Sequence, residues 1–226
     1  MDLRDDFIAR VVGGRSFADV GGLWGTINEK VSVAARSGAR SVAMIDISPP
    51  GSELWNLFSE RLASFGIECE CISSDVCALV EKGTAPEVEV VHCSGVLYHH
   101  PNPIYFLGAL RRIAKRHLIL TSAVTQAEIA NEFGEFRIPP SGVIFVPALN
   151  QCERDVLSKY WKEKAGAGAC YGITDPAKWD PRDFGPWWWL PTPQAMLAMA
   201  ECVGFRVLDS APTWNANAHT ALLEAV

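Results

Sequence analysis

Arg15 to Ile47 reads RSFADVGGLWGTINEKVSVAARSGARSVAMIDI, in the order strand, glycine turn, helix, strand, acid. Ser16 to Val20 is a short, mainly apolar run. Gly21, Gly22 and Gly25 then let the backbone turn sharply into a helix that Thr26 or Asn28 begins, and the missing Cβ atoms let a ligand approach closely. Ile27, Val31, Val33, Ala34 and Ala35 supply the helix's apolar residues, and Ser37-Gly38 ends it with a glycine suited to a left-handed terminus. Asp46 closes the next strand. Together these parts predict one βαβ unit of the kind that receives a nucleoside-bearing ligand.

A glycine-rich turn after a strand is not specific by itself, because several dinucleotides and plain loops use one. Here the strand ends in an acid followed by glycine, and the middle glycine of G-x-G-x-x-G is missing. Asp19-Val20-Gly21-Gly22-Leu23-Trp24-Gly25 resembles motif I, D-x-G-x-G-x-G, of the class I S-adenosylmethionine-dependent methyltransferases. The departure is Leu23, where the family has glycine; with Gly22 beside it, the loop is expected to shift its glycine by one place. The resemblance implies that Asp19, Gly21, Gly22 and Gly25 form the cofactor loop. It also implies that Asp46, at the end of the second strand, accepts hydrogen bonds from the ribose hydroxyls.

The chain has 226 residues and an apolar fraction of 49%, enough for the core of one α/β domain with an elaboration. Its formal net charge of −6 comes without a basic run, which argues against an extended nucleic-acid surface. No apolar run approaches eighteen residues and no secretory leader pattern opens the chain, so the expectation is a cytoplasmic protein without a membrane span. The seven cysteines, at 69, 71, 77, 93, 152, 170 and 202, show no C-x-x-C pair and no metal-ligand spacing, and read as buried thiols of a reducing compartment.

Asp5 to Val12 reads as a short helix, and Ser52 to Phe65 as a longer one with Leu54, Trp55, Phe58, Leu62 and Phe65 at helical spacing. Ile67 to Ser73 alternates like a strand and runs into Asp75-Val76. By resemblance, Asp75 receives the adenine amino group and the amide of Val76 meets the ring, while the residues alone read Asp75 as a helix cap. Val88 to Cys93 is a fourth strand, followed by Ser94-Gly95-Val96-Leu97-Tyr98-His99-His100-Pro101-Asn102-Pro103. G-V-L-Y-H followed by proline resembles motif IV of a methyltransferase branch that includes wobble-uridine tRNA carboxymethyltransferases and small-molecule O- and N-methyltransferases. This loop lies where ligands bind in doubly wound sheets, so Ser94 and Tyr98 are assigned to the cofactor and His99 and His100 to catalysis. Pro101 and Pro103 hold the segment out of helix.

Ile104 to Lys115 is a predicted helix ending in Arg111, Arg112, Lys115 and Arg116, which read as a solvated basic end, and His117 to Thr121 is a fifth strand. From about Ala123 the alternation stops, and residues 126–190 read as a long irregular lid rich in proline, glycine and tryptophan. Trp187, Trp188 and Trp189 are candidate acceptor-stacking surfaces, although consecutive residues cannot all face one way and some must be structural. Gln194 to Cys202 is a further helix. Phe205 to Ser210 and His219 to Val226 are the last strands, the latter inserted antiparallel if the resemblance holds.

The sequence is therefore expected to form a Rossmann-like, doubly wound α/β domain with a seven-stranded sheet and a tryptophan-rich lid. The resemblance implies S-adenosylmethionine as cofactor and a small organic or sugar-bearing metabolite as methyl acceptor, with no metal. Two alternatives stay open: a tRNA-modifying methyl or carboxymethyl transferase, and a non-catalytic cofactor-binding regulator of the same fold.

Overall fold

The computed structural model describes residues 2–24, 28–165, 173, 180 and 185–226. Gly25, Thr26 and Ile27, used in the sequence reading, lie outside the described residues, as do the Gly166 to Gly168 segment and Trp179 of the predicted lid. Helix α1 (Leu3–Val11) leads into β1 (Ser16–Val20), α2 (Val31–Arg36), β2 (Ser41–Asp46), α3 (Glu53–Ser64), β3 (Glu70–Ser73), α4 (Val76–Glu81) and β4 (Val88–Ser94). A 3-10 turn at Leu97–His99, α5 (Pro103–Ile113) and β5 (Ala114–Ala123) follow. Then come β6 (Glu128–Asn131), β7 (Gly134–Arg137), β8 (Val143–Phe145), α6 (Gln151–Ala165) and β9 (Trp189–Pro191). The chain continues through α7 (Pro193–Cys202), β10 (Phe205–Thr213) and β11 (Ala218–Ala225).

Seven strands form one sheet in the order β3-β2-β1-β4-β5-β11-β10. β1 to β5 run parallel, and β11 runs antiparallel to both β5 and β10, as expected for the inserted strand. Strand alternation splits the core into two layers. Phe17, Met44, Val90, Ile119 and Leu222 face α1, α2 and α3, where Phe7, Ile8, Val31 and Phe58 pack against them. Ala18, Ile45, Val91, Leu118 and Leu120 face α4, α5 and α7, where Val76, Leu107, Leu110 and Met196 pack. The central parallel strands β1, β2, β4 and β5 are thus covered on both faces, which is why they read as largely apolar runs, whereas the edge strand β3 is partly exposed.

Several boundaries differ from the sequence reading for identifiable reasons. Helix α1 starts two residues before the predicted Asp5, because Asp2 caps it by accepting from Arg4 N at 3.0 Å. Helix α2 starts at Val31, later than Thr26 or Asn28; Glu29 supplies the acceptor for Ser32 N at 2.8 Å. At the end of α5, Ala114 is already extended, so Lys115 and Arg116 belong to β5 and only Arg111 and Arg112 end the helix. The cysteine reading also needs correction: Cys77 and Cys93 are buried, but Cys71, Cys152 and Cys202 are exposed thiols.

The largest correction concerns residues 126–190, which are not irregular throughout. They hold the antiparallel pairs β6–β7 and β8–β9 and the 15-residue helix α6. The helix escaped notice because its buried face is narrow, with Val156, Leu157 and Trp161 among many charged residues. Those three pack with Ile129, Phe136, Ile144, Val146, Trp187 and Leu190 into a third apolar cluster that includes Tyr98 and Ala123.

Candidate functional site

The carboxyl ends of β1 to β5 meet at one edge, and between β1 and β4 the strand order reverses, leaving the crevice where doubly wound folds place ligands. Gly21 sits there at φ +76°, and its N–H donates to Ile45 O at 2.9 Å. A Cβ on Gly21 would stand 2.4 Å from Val96 Cγ2, so the loops after β1 and β4 touch at this glycine. A Cβ on Gly22 would lie 2.3 Å from Asp19 Oδ2 and 2.8 Å from Met44 Cε. Both positions therefore require glycine for room, and Gly21 also for its conformation.

Leu23, the departure from motif I, turns its side chain fully into the α1–α3 layer, while its N–H donates to Asp46 Oδ2 at 3.2 Å. The extra side chain is thus absorbed by the core and leaves the backbone free to follow the strand ends. Trp24, next in line, is nearly fully exposed.

Asp19 lies beneath this loop instead of lining it. It is fully buried, with Oδ1 accepting from His92 Nδ1 at 2.7 Å and Oδ2 from Lys30 N at 2.8 Å. His92 escaped the sequence reading, although a histidine inside an apolar strand signals a buried polar partner. Asp46 does reach the edge. Its Oδ1 accepts from Ser48 N at 2.9 Å and from Ser48 Oγ at 2.7 Å, and its burial is nearly complete. Ser74 N donates to Asp46 O at 2.8 Å, which brings the end of β3 beside it. Asp75 caps α4 by accepting from Cys77 N at 2.8 Å, and Val76 is buried.

Ser94, at the end of β4, accepts from Arg4 Nη1 at 3.2 Å. Arg4 is a second residue the sequence reading missed, since it fell outside the predicted α1. Arg4 pairs with Asp2, and the nearly buried Lys30 pairs with Asp2 at 2.9 Å and with Asp5 at 2.7 Å. Burial works against ionisation of Asp2, but the hydrogen bonds from Arg4 and Lys30 outweigh it and hold that carboxyl well below its usual range.

The loop after β4 fixes the two adjacent histidines in opposite ways. His99 Nδ1 lies 3.0 Å from Pro186 O; a carbonyl can only accept, so Nδ1 carries a proton and Nε2 is the atom that gains or loses one. His100 Nδ1 lies 3.0 Å from Asn102 N, which can only donate, so this ring carries its proton on Nε2, 3.9 Å from Cys77 Sγ. His100 also stacks on Phe106 with centroids 5.1 Å apart, is turned into the core, and burial lowers its pKa. The sequence reading paired His99 and His100 in catalysis; the geometry separates them.

Tyr98 is buried, and desolvation pushes its hydroxyl up to about 12, so it stays protonated at neutral pH. Its ring meets Trp187 edge-on at 5.2 Å, and Trp187 in turn meets Trp161 at 4.7 Å. Trp188 is buried too, its backbone N–H donating to Tyr98 O at 2.8 Å. Trp189 is partly exposed, lies against Phe145 at 4.6 Å, and donates from Nε1 to Pro101 O at 2.9 Å. Trp187 and Trp188 therefore fasten residues 186–191 to the loop after β4. Neither has the open face that the sequence reading assigned for stacking on a ligand.

Burial also lowers the pKa of His117 and His219. His100, His117 and His219 are thus neutral in the fold but take up protons in the unfolded chain below about pH 6.5. Stability is expected to be complete above that pH and to fall as the pH drops from there towards the lowered folded values. Urea unfolding at pH 7.5 and pH 5.5 measures this; an equal or higher midpoint at pH 5.5 would contradict it.

No protein-family model and no curated protein matches the chain. Solved structures do. Magnesium protoporphyrin IX methyltransferase (ChlM) from Synechocystis PCC 6803 with bound SAH superposes with a TM-score of 0.59 at 14% identity, covering 99% of this chain and 82% of that one. The 1,6-didemethyltoxoflavin-N1-methyltransferase of Burkholderia thailandensis, with its substrate and S-adenosylhomocysteine bound, gives 0.57 at 11% identity over 99% and 78%. The [4+2]-cyclase SpnF gives 0.59 at 13% identity over 98% and 79%. With the strand order, the inserted antiparallel β11 and the glycine turn at the switch point, this similarity establishes the fold as that of the class I S-adenosylmethionine-dependent methyltransferases.

Proposed function

We propose that the protein is an S-adenosylmethionine-dependent methyltransferase acting on a small organic acceptor. The observation that carries this reading is the meeting of Gly21, Asp46 and Ser94 at the switch point. A conformationally required glycine, a carboxylate and a hydroxyl beside a guanidinium stand there at the ends of β1, β2 and β4. Structures of the same fold with bound SAH or S-adenosylhomocysteine support it. SpnF shares the fold and is a cyclase, so the chemistry has to be argued from the site.

The residues present fit such a cofactor. Asp46 would accept from the ribose hydroxyls in place of its present bond from Ser48 Oγ. Asp75 and the amide of Val76 would meet the adenine, the Gly21-Gly22 backbone the methionine portion, and Arg4 beside Ser94 its carboxylate. Leu23, the departure from motif I, packs in the core, which supports a loop still able to hold the cofactor. When bound, the cofactor supplies an electrophilic methyl group on a sulfonium. The protein's own task is to hold the acceptor in line with it, which contributes roughly 7–11 kcal/mol in favourable cases. His99, with Nε2 as its basic atom, receives the acceptor's proton or orients the acceptor, and Tyr98 shapes the floor beside it. The described part of residues 126–190, β6 to β9 with α6, serves as the lid, fastened to the Tyr98–His99 turn through Trp187 and Trp188.

Asp46→Ala is expected to weaken cofactor binding by about 1.5–3 kcal/mol, as for hydrogen bonds to a charged group. Calorimetric titration with S-adenosylhomocysteine measures it, and wild-type affinity in the variant would remove Asp46 from the site. The function itself is tested by acceptor-dependent release of S-adenosylhomocysteine across a metabolite collection. Mass spectrometry of any nucleoside co-purifying with the protein separates plain methyl transfer from carboxymethyl transfer. Cofactor binding without turnover on any acceptor would leave only a binding role.

A further inference from the structure

The turn between β10 and β11 carries features that the cofactor reading does not use. Trp214, Asn215 and Ala216 are three successive non-glycine residues at φ +48°, +56° and +65°. L-residues visit this region singly and at a cost, and such strain persists where the surroundings impose it, often at ligand clamps. Here the turn is tied down on three sides. Asn217 N donates to Trp214 O at 3.1 Å, Val124 N to Asn217 O at 3.0 Å, and Gln126 Nε2 to Ala216 O at 2.8 Å. The turn is thus anchored to the chain leaving β5, at the same sheet edge as the candidate site.

What the anchoring achieves is the placement of Trp214. Its ring edge comes within 3.9 Å of the point where a Cβ of Gly95 would stand, and Tyr98 Oη lies equally close to that point. Gly95, at φ +79°, follows Ser94 directly in the loop after β4. Trp214 is nevertheless 41% exposed, so it offers an open aromatic surface beside Gly95 and Tyr98, unlike the buried Trp187 and Trp188.

At the foot of the same turn stand two buried polar side chains without partners. Asn217 is fully buried, and among the described residues neither its Oδ1 nor its Nδ2 has a hydrogen-bond partner. His219 is 8% exposed, and neither ring nitrogen is paired. Its strand position lies opposite Ser122 of β5, whose hydroxyl is already given to Ala123 O. Native proteins leave few buried polar groups unpaired, and each one calls for a water or a ligand group. The carboxamide offers a donor and an acceptor side by side, and an imidazole offers one of each, with no net charge. Their complement is an uncharged edge that also carries a donor beside an acceptor.

We propose that the stretch Trp214–His219 recognises the acceptor, and that this acceptor is a neutral planar ring with an N–H beside a carbonyl, a lactam-type heterocycle. The ring face lies on Trp214 and the lactam edge reaches Asn217 and His219. This rests on the methyl-transfer reading for its purpose, though not for its test.

The test titrates the full chain by calorimetry, with and without S-adenosylhomocysteine, against 2-quinolone, 2-methoxyquinoline and 2-piperidone. 2-Methoxyquinoline keeps the flat ring but loses the N–H and carbonyl, and 2-piperidone keeps that edge but loses the aromatic face. 2-Quinolone is expected to bind roughly tenfold or more tightly than either. Asn217→Leu should erase the preference over 2-methoxyquinoline and Trp214→Ala the preference over 2-piperidone, while S-adenosylhomocysteine affinity stays at the wild-type value. Trp214→Ala changes a surface side chain and keeps the test valid if Asn217→Leu does not fold. No binding of 2-quinolone, equal binding of all three compounds, or an unchanged preference over 2-piperidone in Trp214→Ala would overturn the proposal and leave Asn217 and His219 to an ordered water. Failure of S-adenosylhomocysteine itself to bind would instead overturn the methyl-transfer reading, and the quinolone comparison on the free protein would still decide this one.

Discussion

His99→Ala is expected to lower kcat by about 10²–10⁴-fold, the range for removing a positioned general base, with S-adenosylhomocysteine affinity little changed. The expectation follows from the bond to Pro186 O, which commits Nδ1 as a donor and makes Nε2 the proton acceptor of the neutral ring. The adjacent His100 cannot take over, because both its nitrogens face partners within the fold. The acidic limb of the pH–rate profile should disappear with His99, since it reports protonation of that base. A variant that keeps its turnover, or loses it only by failing to hold the cofactor, would give His99 a purely structural role. Many methyl transfers release their proton after the transition state, and turnover of His99→Ala distinguishes that case directly.

Asp19→Ala should cost about 1–3 kcal/mol of folding stability for each buried donor it leaves unsatisfied. The carboxylate satisfies His92 Nδ1 and Lys30 N, both in the interior, and His92 Nε2 already has no partner among the described residues. Removing Asp19 would therefore leave a buried imidazole unpaired at both nitrogens and release the start of α2. Gly22 packs directly on this carboxylate, so the cofactor loop should loosen as well. Asp19→Asn, which keeps an acceptor oxygen, should recover part of the loss. Denaturant titration measures both variants; a shift below about 1 kcal/mol for Asp19→Ala would show that the pair does not support the loop.

The sheet was legible because its central strands are buried on both faces and the turn after β1 is marked by glycine. β1 runs from Ser16 to Val20 as read, and β2 closes at Asp46 as read. The motif order also placed Gly21, Asp46, Ser94 and Tyr98 near the switch point from the sequence alone. Interactions between distant segments were not legible. Nothing local announces that Arg4 reaches Ser94, that Asp19 meets His92, or that Pro186 meets His99, since these pairs are 90, 73 and 87 residues apart. Nor did the tryptophan cluster reveal which rings are buried. Trp187 and Trp188 drew attention by composition, while the exposed Trp214 stood in a turn without glycine, marked only by Pro212, Asn215 and Asn217.

The place of β11 has a consequence for the order in which the fold can be assembled. This strand comes last along the described chain yet fills an interior position, paired on both sides by β5 and β10. During synthesis, β1 to β5 can align as soon as they emerge, but β5 must then keep one bare edge until residues 218–225 arrive. That edge carries the apolar run Leu118 to Leu120, fully buried once the fold is complete. A nascent or shortened chain lacking β11 therefore presents an unpaired, hydrophobic parallel strand, the kind of edge that pairs with other chains. Closure of the sheet by this late antiparallel strand is the step that hides it.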